Sequence, residues 1–232
     1  DTFFTSDENG LWILADGMGG NRGGEIASKI AQESLSEELI DDVDIKTAVL
    51  NAHRAILNHG SSNFELKGLG TTVVLAKEFH QKVRIVWVGD SRLYLWRDQK
   101  LTQLSIDHSV VQRLLDSGMI NQQEAVNHPQ RNLVTSVLGL SLSDDSDLEI
   151  GELDFEWRKN DKLMLCSDGL TDELEDTKIE EIMKSQADSE HQVQVLLKAA
   201  LDAGGRDNTT VLIIDAPQIK SVMQRLLDWI KT

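Results

Sequence analysis

GTTVVLAKEFHQKVRIVWVGDSRLYLWRDQKLTQL, residues 70–104, reads as consecutive strands. Val, Ile, Thr and aromatic residues crowd Gly70–Glu78, Lys82–Val88, Arg92–Arg97 and Lys100–Leu104, the composition of chain that packs on a pleated surface. The breaks between these runs, turn-like RDQK among them, are short, so the neighbours are predicted to be antiparallel. Toward the N-terminus, Leu11–Ala15 is a short apolar strand. Arg22–Ile40 then carries Ile26, Ile30, Ala31, Leu35 and Leu39 at helical spacing, and Asp44–Asn58 repeats the pattern with Asp44 as a cap. Toward the C-terminus, Ser109–Ser117 is predicted helical with Gly118 as its stop, and Asn121 with Glu124 forms a capping box. Strands near Leu148 and Leu163, helices over Asp176–Ser185 and Ser189–Asp202, and a last strand over Thr209–Asp215 complete the domain. Pairs of helices separated by runs of strand predict an α+β fold, two packed sheets with helices outside.

The chain has 232 residues, enough for one domain with a sizeable core. No apolar run approaches bilayer-spanning length and no signal-peptide pattern opens the sequence, so it reads as soluble. The single cysteine, Cys166, has no internal partner for a disulfide, which fits a reducing cytoplasm. A formal net charge of −16 argues against nucleic acid, whose phosphates need a basic footprint. Residues 217–232 form a separate amphipathic stretch, with Ile219, Val222, Met223, Leu226, Leu227 and Ile230 on one face, expected to pack on the same domain.

Three aspartate motifs lie at strand ends: LWILADGMGG, LMLCSDGLTD and AGGRDNTTVLIID, containing Asp16, Asp168 and Asp207. One Asp-Gly after a strand is ordinarily a turn. Three in the same setting, the first followed by Gly19, Gly20, Gly23 and Gly24, exceed what a connection needs. Carboxylates gathered from distant parts of a chain repel one another, and a divalent cation relieves that repulsion. Oxygen ligands without a Cys or His cluster favour Mg²⁺ or Mn²⁺ over zinc, and none of the six histidines has ligand-like pairing. Rival phosphate chemistries fail on their own motifs. The residue six after Cys166 is Asp172, where a cysteine phosphatase needs arginine, and no P-loop or HExxH occurs.

DGMGG with a following GGE, GLGTT (Gly68–Thr72), VGDSRLY (Val88–Tyr94), DHS at Asp107, HPQRN (His128–Asn132), CSDGLTD and GGRDNTTV together resemble the bacterial branch of the protein phosphatase 2C family, in order from Asp1 to about Asp215. The resemblance implies a four-layer α-β-β-α sandwich over residues 1–216, with a mobile flap at about 107–138. It also implies hydrolysis of phosphoserine and phosphothreonine in proteins by a metal-activated water, opposing a serine/threonine kinase. By resemblance Asp16 bridges two Mn²⁺ or Mg²⁺ ions, the Gly17 carbonyl binds one, Asp168 and Asp207 complete the set, and Asp107 with Asp168 holds a weaker third metal. Asp1 and Asn208 stand behind these ligands, while Asp90, Ser91 and Arg92 are expected to be structural. On the residues alone, Asp107 equally suits a helix cap before Ser109. The family pattern opens with Arg-x-x-Asn-Gln/Glu-Asp, and Asp1 matches only its final Asp. The phosphate-gripping arginine of that pattern has no counterpart in residues 1–232, and Arg22 is the arginine nearest in sequence to DGMGG. Substrate-binding residues are therefore left unassigned, and the alternative reading is a catalytically weak relative serving as a binding or regulatory module.

Overall fold

The computed structural model describes residues 1–18, 21–62, 68–80, 82–140, 148–185 and 188–217, the side chains of residues 21, 22 and 62 excepted. From the N-terminus come β1 (Thr2–Ser6), β2 (Leu11–Ala15), β3 (Gly17–Met18), α1 (Asn21–Ile40), α2 (Ile45–Ser62), β4 (Gly70–Thr71), β5 (Val73–Phe79), β6 (Lys82–Val88), β7 (Arg92–Arg97) and β8 (Lys100–Gln103). They are followed by α3 (Val110–Asp116), α4 (Gln122–Val126), β9 (Gly151–Glu156), β10 (Lys162–Cys166), α5 (Asp168–Thr171), α6 (Asp176–Met183), α7 (Ser189–Ala203) and β11 (Val211–Asp215).

Two antiparallel sheets form the centre, one in the order β1-β2-β5-β6-β9 and the other β11-β10-β7-β8, with β3-β4 as a separate two-residue ladder. Residue alternation along the strands builds three cores. Leu11, Ile13 and Ala15 of β2, with Val73, Leu75, Val86 and Val88, face Ala27, Leu35, Val49 and Ile56 of α1 and α2. On the opposite face of the same strands, Trp12, Leu14, Val74, Ile85 and Trp87 meet Leu93, Leu163, Leu165 and Ile214 of the second sheet. Tyr94, Trp96, Met164 and Cys166 turn away from that interface and pack on Ile179, Leu196 and Ala200 of α6 and α7. Helices α1 and α2 thus pack on one sheet and α6 and α7 on the other, as the pairs of helices separated by runs of strand predict. Each fully buried aliphatic side chain contributes about 1.5–3 kcal/mol. A one-residue slip of β2 would exchange two cores at once, so its register is strongly fixed.

Several local expectations hold. Asp44 Oδ2 accepts from Thr47 N at 3.1 Å ahead of α2, and Asn121 and Glu124 form the capping box of α4. The strand expected near Leu148 begins instead at Gly151, with Leu148 buried against the α1–α2 core ahead of it. Strand β1 was not foreseen. Its Thr and Ser residues and half-exposed Phe3 carry no strong apolar signal, and β1 exists because the full register from Thr2↔Ala15 to Ser6↔Leu11 pairs it with β2. The amphipathic stretch proposed for 217–232 lies outside the described residues from 218 onward.

Antiparallel pairing sets where the aspartates fall. The C-terminal ends of β2, β6 and β10 and the N-terminal ends of β5, β7 and β11 share one edge of the sandwich, as the pairs Leu14↔Val74, Val73↔Val88, Cys166↔Arg92 and Cys166↔Val211 show. Asp16, Asp90 and Asp207 occupy the connections at that edge, and Asp168 opens α5 there.

Candidate active site

Asp16 follows β2 directly, and its backbone is held by the GLGTT segment. Asp16 N donates to Thr72 Oγ1 at 3.3 Å, while Thr72 N and Thr71 Oγ1 both donate to Asp16 O at 2.8 Å. Thr72 Oγ1 lies 2.7 Å from Ser91 Oγ, which ties this loop to the VGDSR turn that joins the two sheets between β6 and β7. Next in line, the Gly17 carbonyl crosses α1 so closely that a Cβ on Gly24 would stand 2.5 Å from its oxygen, and a Cβ on Gly17 would overlap the Gly24 backbone. Both glycines of DGMGGNRGGE are thus required by close approach, and the crossing fixes where the Gly17 carbonyl lies.

The second and third motifs are stapled together. Ser167, fully buried, donates from its backbone to Thr210 O at 3.1 Å, accepts from Thr210 N at 3.0 Å, and donates from Oγ to Asn208 O at 3.3 Å. Thr209 Oγ1 donates to Gly169 O at 3.1 Å, and any Cβ on Gly169 would overlap the Asn208 carbonyl. The loop carrying Asp207 therefore lies against the residue that follows Asp168. Asp207 Oδ1 accepts from Asn208 N at 2.7 Å, and Asp1 Oδ2 accepts from Thr210 Oγ1 at 2.8 Å, so both outer residues expected from the sequence sit beside this staple.

The electrostatics single out one pair. Burial, then the charge of Asp168, a hydrogen bond with it, and Asp90 push the Asp16 carboxyl up to about 8. Asp168 is also raised, chiefly by burial, with Asp172 and Asp207 adding repulsion. Asp168 Oδ1 is buried and receives no hydrogen bond from any protein donor. Two facing carboxyls, one with an orphaned oxygen, form a strained arrangement that shares a proton or binds a cation. Among the described residues no three carboxylate, imidazole or thiolate side chains already converge on a single point. The donors present are this pair, the Gly17 carbonyl and the neighbouring Asp207. They leave room for water, which suits Mg²⁺ or Mn²⁺ better than a closed zinc cage.

Two expectations change. Asp107 does not cap α3: Ser109 does, its side chain accepting from Gln112 N at 3.1 Å. Without a metal, the Asp107 carboxylate is engaged by neighbouring side chains. Arg92 donates to it from Nε at 3.0 Å to each oxygen and from Nη2 at 2.7 Å to Oδ2, and Gln103 Nε2 adds a bond at 3.0 Å. Asp90, read from sequence as structural, instead joins the acidic group. Burial, then Asp168 and Asp107, push its carboxyl up to about 7. Nothing local marks this role, because it arises only when the β6–β7 turn meets the end of β10. The position of Cys166 agrees with its sequence reading: it is fully buried, and burial pushes its thiol up to about 12.

Residues 108–135 leave this edge and return to it. His108 N donates to Gly89 O at 2.9 Å and Gly89 N to His108 Nδ1 at 3.2 Å, while Val110 N–Leu133 O and Thr135 N–His108 O pair the outgoing and incoming chains. Between this excursion and α5–α6 runs a cavity of about 870 Å³, lined by Arg92, Asp107, Leu115, Val126, Thr171 and Glu175 among others. Arg131 lies 3.9 Å from Asp172, to which Asn132 Nδ2 also donates at 3.0 Å. The side chain of Arg22 lies outside the described residues.

A two-sheet sandwich with carboxyls gathered near strand ends along one edge is an arrangement suited to holding divalent cations. The chain belongs to the protein phosphatase 2C family, which it matches over residues 1–203. The serine/threonine phosphatase Stp of Listeria monocytogenes is 35% identical over 223 residues, covering 92% of this chain and 87% of that protein. Among solved structures, the serine/threonine phosphatase Stp1 of Staphylococcus aureus has a TM-score of 0.83 at 32% identity, covering 94% of this chain and 87% of that one. The catalytic domain of the serine/threonine phosphatase PstP, solved in complex with two manganese ions, has a TM-score of 0.80 at 32% identity, with 92% and 90% covered.

Proposed function

We propose that this protein is a Mn²⁺- or Mg²⁺-dependent phosphatase that removes phosphate from phosphoserine and phosphothreonine in proteins. The observation that carries the reading is the Asp16–Asp168 pair with its orphaned Oδ1, just beyond the ends of β2 and β10 at one edge of the sandwich. Asp16, the Gly17 carbonyl, Asp168 and Asp207 are the ligands proposed for two ions, and Asp107 with Asp168 for a weaker third; Asp90 adds to the negative field around Asp168. When bound, such ions supply Lewis-acid chemistry: they draw in phosphate and lower the pKa of water, the nucleophile the family resemblance implies.

The chain's own contribution is positioning. Thr71 and Thr72 hold the Asp16 backbone, the Ser167–Thr210 staple holds Asp168 against the Asp207 loop, and neither side depends on a flexible side chain. Among the described residues the lone thiol, Cys166, is no activated nucleophile at this edge. Cys166 points into the core between β10 and α6–α7, and its raised pKa keeps it a thiol. Substrates phosphorylated by a serine/threonine kinase, in a cytoplasm that leaves the lone buried thiol reduced, fit the family and the composition. Among the described residues no helix is long and apolar enough to cross a membrane.

The test is Mn²⁺ calorimetry together with phosphopeptide turnover in wild type, Asp16→Asn and Asp168→Asn. Both quantities are expected to fall together in each variant. Full Mn²⁺ affinity in both variants would show that the ions bind elsewhere.

A further inference from the structure

Arg92 is read from the sequence as a plain structural residue of VGDSR, yet its guanidinium joins three parts of the molecule. It grips Asp107 by three hydrogen bonds, donates from Nη1 to Tyr94 Oη at 3.1 Å, and reaches within 3.8 Å of Asp176 at the start of α6. Tyr94 Oη in turn donates to Asp176 Oδ1 at 2.8 Å. The side chains of Arg92 and Asp107 are only 26% and 11% exposed, so this pair is sheltered as surface pairs are not. Asp107 immediately precedes the root of the 108–135 excursion, and Arg92 lies two residues after Asp90. The farther contacts of the excursion, Arg113–Glu149 and Asn132–Asp172, are exposed and correspondingly weak. Its root is thus firmly fixed and its body lightly held.

We infer that Arg92 is a positioning residue: it fastens the root of the 108–135 excursion to the strand that follows Asp90, and so sets the groove in which polypeptide flanking a phosphoresidue lies. The inference rests on the phosphatase reading for its substrate and on the hydrogen-bond geometry for its mechanics. The groove is the 870 Å³ cavity, with Arg92 and Asp107 lining it, Leu115 and Val126 on the excursion side, and Thr171 and Glu175 opposite. A small phosphate ester that enters the acidic edge alone does not need those walls. A phosphopeptide does. Because only a planar fork bonds both Asp107 oxygens while also reaching Tyr94, lysine cannot replace arginine here.

Arg92→Lys separates the alternatives. With Mn²⁺ present, kcat/KM for a phosphothreonine peptide is expected to fall by about tenfold, mostly through KM, while that for p-nitrophenyl phosphate changes by about twofold or less. Mn²⁺ affinity should stay within about twofold of wild type, and the amides of His108 and Thr135 should exchange with deuterium about tenfold faster. Equal losses on both substrates, lost Mn²⁺ affinity, or unchanged exchange at the root would each overturn the inference. Wild-type protein that hydrolysed neither substrate would instead sink the phosphatase reading, with the exchange measurement still deciding what Arg92 does. Should Arg92→Lys not fold, Gln103→Leu removes one bond to Asp107 and is expected to shift exchange in the same direction by less; no shift would count against the inference.

Discussion

In the metal-free protein Asp16 and Asp90 hold protons to about pH 8 and pH 7, against an ordinary value of 3.8, because burial and neighbouring carboxyls penalise the charged form. A group whose folded pKa is raised stabilises the fold most at low pH, and that contribution is lost as pH climbs through the folded value. The unfolding temperature measured in EDTA should therefore decline between pH 5 and pH 8. The increase on adding Mn²⁺ should be larger at pH 8, since the cation then binds carboxylates it need not deprotonate. A Mn²⁺ shift independent of pH would show that these carboxyls are not the ligands. Asp16→Asn removes the repulsion, so the metal-free protein should become more stable at pH 8 while losing its Mn²⁺ response. At Cys166 the expectation is opposite in kind: Cys166→Ser should keep its metal-dependent turnover and lose about 1–3 kcal/mol of stability for burying a hydroxyl. Abolished turnover in a folded, metal-binding Cys166→Ser protein would return the thiol to the mechanism.

At the scale of elements, glycine crossings matter more than caps. Gly24→Ala drives a methyl group against the Gly17 carbonyl, so α1 or β3 must shift. Calorimetry should show weakened Mn²⁺ binding in that variant, and affinity equal to wild type would remove Gly17 from the ligand set. Much of this scale was legible beforehand. The strands of 70–104 announce themselves by composition, and Asn121 with Glu124 by spacing, because both signals lie within a few residues. Asp16 and Asp168 were legible because each ends an apolar strand before a glycine. What escaped has a common cause. The placement of Asp90, the Arg92 grip on Asp107 and strand β1 all depend on partners from another element, so no local pattern encodes them. The contact between Asp107 and Arg92 was hidden for the same reason: the Asp107 motif marks the start of the excursion, but the arginine comes from another strand.

The whole molecule carries a net charge of −16 and acts on an anionic group, so long-range repulsion opposes every encounter. At saturating Mn²⁺, raising monovalent salt from low to physiological concentration should increase kcat/KM for an acidic phosphopeptide, because screening weakens that repulsion. A decrease would mean that a local positive field outweighs the net charge. A last consequence follows from the staple between Ser167 and Thr210. The acidic edge takes residues from the first strand ends and from the loop before β11, so the Asp207 side of the site cannot assemble until nearly all of the described chain has left the ribosome. A nascent chain halted before residue 211 lacks the strand that pairs with β10. Catalytic competence of this domain thus waits for its last described strand and arrives as a single closing event.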